Sequence, residues 1–265
     1  LIFLELKELE HNVKVGDTCP DIKPNVIEDT IFTIENEPIG FYLKDIRKHS
    51  PKAAQLADIA DKELRSSRVP KSVMKRSSGF LDGDKDSQVE QYSTILGSIP
   101  PKPHMRRIYA TRSSVHNVPK AQTFVKAMLM LAKESEKIIE LLTPCLYEQQ
   151  KRLIAENIAE QWRFGNLFTS SISNYNIAAD FHRDNGNLKG CANVIIAKRK
   201  NSTGGCTTIP DYGATVDSSD NSMLYYPAWR NIHGVTPIIP THDGGYRNTL
   251  VFYPLSNFPR EGNDG

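Results

Sequence analysis

The sequence predicts an α+β fold in which a group of helices packs against a sandwich- or barrel-like β core. Three observations carry this. Between 51 and 162 apolar residues recur at helical spacing, and after 165 short β-rich runs alternate with glycines. The chain has 265 residues, 39% hydrophobic and 24% charged, an ordinary globular mixture long enough to bury a large core.

Residues 1–45 read as short strands and turns. Ile31, Phe32 and Ile34, then Ile39, Phe41 and Leu43, alternate at period two, and Pro20, Pro24 and Pro38 break the run. A helix is expected over 51–64 from Ala53, Ala54, Leu56, Ala57, Ile59, Ala60 and Leu64. A second begins near Pro119 and runs to about Leu142, with Phe124, Ala127, Met128, Leu131, Ile138, Leu141 and Leu142 on its apolar face. Thr143-Pro144 then suits an N-cap followed by proline at the first helical position, opening a third helix to about Trp162. Strands are expected near 167–177, 190–198, 204–209, 213–217, 222–228, 232–238 and 247–254, with Gly204-Gly205 and Gly244-Gly245 among the turns.

Charge narrows the function. Lys+Arg is 33 and Asp+Glu 31, a net +2, which excludes a histone-like chain and an acidic solvating tail. The balance hides two acid-free basic blocks. One spans 65–80, with Arg65, Arg68, Lys71, Lys75 and Arg76. An acidic patch at 82–86 follows it. The other spans 91–133, with Lys102, Arg106, Arg107, Arg112, Lys120, Lys126 and Lys133. They form either a solvated face or a nucleic-acid surface. The cysteines, Cys19, Cys145, Cys191 and Cys206, have neither zinc-ribbon nor disulfide-framework spacing, so a reducing, intracellular setting is expected. That means a microbial or phage-infected cytoplasm, or a nucleus. No run reaches the roughly 20 apolar residues of a membrane span, and Leu1 to Leu6 is too short and too acidic for a signal peptide.

Chemistry points to the segment Asp180-Phe181-His182-Arg183-Asp184-Asn185-Gly186-Asn187, which holds the chain's one His-x-Asp. In extended backbone, residues i and i+2 share a face, so His182 and Asp184 can converge on one metal. His233 can supply a third ligand. Two imidazoles and a carboxylate with the opposite face open suit non-haem Fe(II), which must also bind O2 and a cosubstrate. Arg247, 14 residues beyond His233 on a strand-like run, would offer a planar fork to a carboxylate if aimed inward, as 2-oxoglutarate requires. The plainer reading is a structural histidine bonded to a turn aspartate.

The series Phe168-Thr169, Asn174, His182-Arg183-Asp184-Asn185-Gly186-Asn187, Asn193-Val194-Ile195-Ile196, Gly204-Gly205-Cys206-Thr207, His233 and Arg247-Asn248-Thr249-Leu250-Val251-Phe252-Tyr253 resembles the TET/JBP branch of the Fe(II)/2-oxoglutarate dioxygenases over about 165–255. That branch oxidises the 5-methyl group of pyrimidines in nucleic acid. The resemblance implies a double-stranded β-helix (jelly-roll) core with supporting helices. It makes 1–265 one dioxygenase domain: an N-terminal extension at 1–100 of unassigned role, supporting helices and a basic segment at 101–164, and the core at 165–257. It implies that His182, Asp184 and His233 hold iron and that Arg247 binds 2-oxoglutarate. Asn174 would either help hold that cosubstrate or tie strands together. Some members carry a second cosubstrate arginine shortly before the His-x-Asp, where this chain has Ile177, Ala178 and Ala179. Asn187 matches the position from which members touch the base edge, with Asn185 beside it.

The implied reaction converts 2-oxoglutarate and O2 to succinate and CO2 while a methyl group becomes hydroxymethyl. A methyl group inside a duplex is out of reach, so the partner would be DNA with its methylated pyrimidine flipped out. Arg106, Arg107 and Arg112 are the expected phosphate contacts, with Tyr109 available to stack. Cytosine presents an amine at position 4 and thymine an oxygen, and an Asn amide serves either by exchanging its ends. Likeness to animal TET enzymes favours 5-methylcytosine, with thymine next. Two other readings stay open: the same iron chemistry on a free nucleotide, protein or small molecule, and a non-catalytic nucleic-acid-binding β-sandwich.

Overall fold

The computed structural model describes residues 1–70, 74–76 and 91–260. The acidic patch at 82–86 and Lys71 lie outside the described residues. The strands are β1 (Ile2–Glu5), β2 (Thr30–Ile34), β3 (Glu37–Leu43), β4 (Met74–Arg76), β5 (Tyr92–Ile99), β6 (Thr111–Arg112), β7 (Ser170–Tyr175), β8 (Ala179–His182) and β9 (Asn193–Lys200). Then come β10 (Ser202–Gly204), β11 (Thr207–Ile209), β12 (Ala214–Val216), β13 (Met223–Tyr226), β14 (His233–Val235), β15 (Ile238–Pro240) and β16 (Tyr246–Tyr253). Three helices, α1 (Pro51–Leu64), α2 (Gln122–Leu142) and α3 (Pro144–Asn157), precede most of them.

A large sheet runs β1-β2-β3-β13-β9-β16-β7-β5-β4, with β6 on β5; a second runs β12-β11-β14-β8, and β10 pairs with β15. Period two explains how the large sheet buries both faces. On one side Ile31, Phe41, Leu43, Val194, Ile196, Met223, Tyr225, Leu250 and Phe252 meet the helices. On the other, Phe32, Tyr42, Leu224 and Tyr226 meet Ile209, Ala214 and Val216 of the smaller sheet. Two facing sheets with helices outside the larger one make the double-stranded β-helix that the sequence resemblance implied.

The N-terminal residues build the architecture: β2 and β3 extend the large sheet beyond β13. Residues 9–26 then cross the smaller sheet and pair with both its edges, at Phe181 of β8 and at Thr215 of β12. Pro38 was expected to break the strand, yet it sits inside β3. It is tolerated because β13 pairs only with residues 41–43 of β3, so the missing N–H costs no second ladder bond.

The helices differ from expectation in three details. Leu141 is 74% exposed, because it lies about 100° around the helix from the stripe through Phe124, Met128 and Leu131. Thr143 precedes Pro144 as expected, but its hydroxyl donates back to the Ile139 carbonyl at 3.0 Å and closes α2 instead of capping α3. The third helix stops at Asn157 because Ile158 turns extended and buries beside Ile154, Cys191 and Phe258; residues 160–162 form a separate 3₁₀ turn.

Before α2, a 3₁₀ turn (Ser114–Asn117) presents His116, whose Nε2 accepts from the Gly97 N–H at 2.9 Å. Burial, then Arg112, lowers its pKa to about 4. The folded state therefore binds fewer protons than the unfolded one between about pH 4 and 6.5, so stability is full above pH 6.5 and falls as pH drops through that window. The melting temperature of the wild-type chain should fall more steeply from pH 7 to 5 than that of His116→Gln; parallel curves would show that this histidine does not set the acid limb.

Candidate active site

The site lies where β8 and β14 of the smaller sheet run side by side. His182 and His233 are direct cross-strand partners, with ring centroids 4.4 Å apart. Beyond His182 the chain leaves the strand and turns, which brings Asp184 back between the two rings. His182 Nε2 lies 3.3 Å from Asp184 Oδ1, and His233 Nε2 lies 3.6 Å from Asp184 Oδ2.

The tautomers follow from partners. Each Nδ1 faces a carbonyl, which only accepts: His182 donates to Asp180 O at 2.8 Å, and His233 donates to Asn231 O at 3.0 Å. Each Nε2 therefore faces the shared space beside Asp184, where it can give its lone pair to a metal or, when the ring carries a second proton, donate to the carboxylate. Burial alone would raise the Asp184 pKa, but hydrogen bonds from His182 and His233 hold it well below the usual carboxylate range. The bond to Asp184 in turn raises His182, against burial. Metal–ligand bonds of about 2.1 Å at right angles separate neighbouring donors by about 3 Å, close to the distances here. The donor set fits a divalent metal, and it is the one cluster of metal-ligand type among the described residues.

Arg247 lies on β16, facing the sheet interior, and is 3% exposed. Its neighbour Asn248 faces the other way, donating to Asp61 of α1 at 2.8 Å. The Arg247 Nε donates to Ser218 Oγ at 3.0 Å, and its backbone N–H donates to Asn176 Oδ1 at 2.9 Å. No carboxylate pairs with it among the described residues. Burial and then Arg199 push its pKa down, as expected for a buried cation lacking an anion. A Cβ on Gly205 would stand 2.8 Å from Arg247 Nε, so the glycine leaves the space this side chain fills. A buried, unpaired guanidinium fits a carboxylate ligand.

The remaining expected residues divide. Asn174 Nδ2 donates to Thr249 Oγ1 at 3.1 Å across β7 and β16, so the strand tie is present. Asn185 is exposed in the turn after Asp184. Asn187 is 7% exposed, and its Nδ2 donates to Asn193 Oδ1 at 2.9 Å. Asn193 Nδ2 faces Asp184 Oδ2 at 3.4 Å. The carboxylate only accepts, so it orients Asn193, and Asn193 orients Asn187 with its amide oxygen left over. The amide that the sequence left free to exchange its ends is held one way.

Arg106 and Arg112 are exposed, and Tyr109 is 74% exposed beside Ile108 at 60%. Arg107 is half-buried and donates to Pro100 O at 3.1 Å. None of the three arginines pairs with an acid among the described residues. Ala110 packs on the same apolar cluster as Leu188 and Leu255. The other basic block is different: Arg65 pairs with Asp61 and Arg68 with Glu63, so neither is a free cation.

Sequence reasoning missed Asn193, Ser218, Asn231 and Arg199. Arg199 is the cross-strand partner of Arg247; its Nη1 donates to Ser218 O at 2.7 Å and its Nε has no partner among the described residues. An arginine on a β-rich run was the only available signal, and pairing register alone reveals its neighbour.

A double-stranded β-helix carrying a His/Asp/His cluster, with a buried arginine on the adjoining sheet, defines the 2-oxoglutarate- and iron-dependent oxygenase class. The chain matches Tet_JBP, the oxygenase domain of the 2OGFeDO superfamily, over residues 99–255, more than half its length, and belongs to that family. Among solved structures it resembles NgTET1 in complex with 5mC DNA, with a TM-score of 0.59 and 12% identity over 94% of this chain and 84% of that one. OsALKBH1 follows, with a TM-score of 0.43 and 16% identity over 82% of this chain and 98% of that one. JOX2 in complex with 2OG, Fe and JA also has a TM-score of 0.43, at 11% identity over 77% and 64%. No curated protein matches. Among the described residues, no helix is long and apolar enough to cross a membrane.

Proposed function

We propose that this oxygenase hydroxylates the 5-methyl group of 5-methylcytosine in DNA, using Fe(II), 2-oxoglutarate and O2. His182, Asp184 and His233 would hold the iron through two Nε2 atoms and one carboxylate. Bound there, iron with the cosubstrate supplies the oxidation of the methyl group. Arg247 would anchor the far carboxylate of 2-oxoglutarate, and Asn174 lines the same interior face.

One observation carries the choice of base. The Asp184–Asn193–Asn187 relay leaves the Asn187 amide oxygen as the free end. An oxygen accepts from the 4-amino group of cytosine and repels the 4-oxygen of thymine. Asn185, exposed one residue beyond Asp184, stands on the same turn to meet the flipped nucleotide. Arg106, Arg107 and Arg112 would bind backbone phosphates, and Tyr109 would stack, because among the described residues none of the three arginines pairs with an acid and the Tyr109 ring is 74% exposed. The likeness to NgTET1, solved with 5mC DNA, supports the same reading.

Nucleoside mass spectrometry tests it directly. With Fe(II), 2-oxoglutarate and O2, an oligonucleotide carrying 5-methylcytosine should give 5-hydroxymethylcytosine. One with thymine as its only methylated base should give at least about tenfold less, the selectivity expected from one matched base contact. His182→Ala should give neither. Hydroxymethyluracil as the main product would overturn the base assignment, and cosubstrate turnover without any DNA product would move the substrate elsewhere.

A further inference from the structure

Two residues beside the histidine ligands are tied to a part of the chain far away in sequence. Asn231 is 3% exposed, and its backbone carbonyl is the acceptor that sets the His233 tautomer. Its side chain is held at both ends. Tyr226 OH donates to Asn231 Oδ1, and Asn231 Nδ2 donates to Asp211 Oδ2 at 2.7 Å. Asp211 receives a second bond from the N-terminal segment. The Val13 N–H donates to His11 Nδ1 at 3.1 Å, so the His11 proton is on Nε2, which donates to Asp211 Oδ1 at 2.6 Å.

The same segment reaches the other histidine. Gly16 N–H donates to Phe181 O at 2.8 Å, and Phe181 N–H donates to Asp17 O at 2.9 Å, on the outer edge of β8 one residue before His182. Cys19 then packs against Gly234, where an added Cβ would meet Cys19 Cβ at 3.1 Å.

We propose that residues 9–19 brace the metal centre from outside, with Asp211 and Asn231 as positioning residues for His233. The inference rests on the metal reading of the His/Asp/His cluster. Its physical basis is that a metal-binding imidazole needs its other nitrogen held, and loosening that hold costs affinity because the ring must be ordered anew on each binding event. Here the acceptor is a carbonyl in a loop. Trp229 Nε1 ties that loop to Cys191 O at 2.9 Å and Arg183 Nη1 to Arg230 O at 3.1 Å, while Asn231, the residue whose carbonyl holds His233, is tied through Tyr226 and Asp211. Removing Asp211 takes away one of the two side-chain partners of Asn231 and the anchor of His11, while leaving all three ligands chemically intact.

The test is binding of Co(II), followed by its visible absorption against a competing chelator, on the full chain. Asp211→Ala should bind Co(II) at least about tenfold more weakly than wild type. Asp211→Asn, which keeps one oxygen acceptor, should fall between the two. His11→Ala should weaken binding in the same direction by a smaller factor. A role confined to fastening the segment would lower the melting temperature without moving the Co(II) affinity of the folded chain. A folded Asp211→Ala with affinity within about twofold of wild type therefore overturns the brace. Should that variant not fold, His11→Ala decides by the same limit. If the wild-type chain itself fails to bind Co(II), the metal reading falls and the brace with it.

Discussion

Asp184→Ala is expected to reduce Fe(II)-dependent succinate formation by roughly a thousandfold, or about 4 kcal/mol of barrier. Among the described residues the carboxylate is the one acid that bridges the two imidazoles, meeting one at 3.3 Å and the other at 3.6 Å. Without it, the third ligand and the negative charge that would offset a divalent cation are gone. Metal content after dialysis should drop together with turnover. Affinity for DNA should stay within a few-fold, because the arginines at 106, 107 and 112 lie on a different segment. An Asp184→Ala protein that keeps a tenth of wild-type turnover would show that the cluster is structural.

Arg247→Met should raise the Michaelis constant for 2-oxoglutarate about a hundredfold, the loss expected when one partner of a buried charged hydrogen bond is removed. The sign of the stability change separates ligand binding from structural damage. A guanidinium buried without a counter-anion carries a desolvation penalty, and an apolar residue of similar length removes it. The ligand-free variant should therefore melt at or above the wild-type temperature. Saturating 2-oxoglutarate with Mn(II) should stabilise wild type by about 2.7 kcal/mol at a hundred times its dissociation constant, and the variant hardly at all. A variant that keeps the full ligand-induced shift would refute the assignment of Arg247 to the cosubstrate.

Much of the architecture was legible because it rests on local rules. The first helix coincides with the expected 51–64, since Ser50 caps it and Pro51 opens it. Leu250 and Phe252 alternate with Arg247 and Thr249 because a strand does so wherever both faces are buried. The misjudged positions, Pro38, Leu141 and Thr143, each depend on what lies beside them: an unpaired ladder edge, the angle of a stripe, and a neighbouring helix end that competes for a hydroxyl.

The site divides along the same line. His182-x-Asp184, His233 and Arg247 stand out in the chain because the chemistry demands those residue types in that order. The sequence by itself thus determined the class of fold and the family, and it pointed to the candidate ligand types. Only the tertiary structure decided which side chains support them. The relay through Asn193, the sharing of Ser218 by Arg199 and Arg247, and the hold of His11 on Asp211 each join residues distant in sequence. Such pairs leave no periodicity and no spacing, because they depend on strand register and on which faces two sheets present to each other. The orientation of the Asn187 amide was decided there too, by a carboxylate that can only accept.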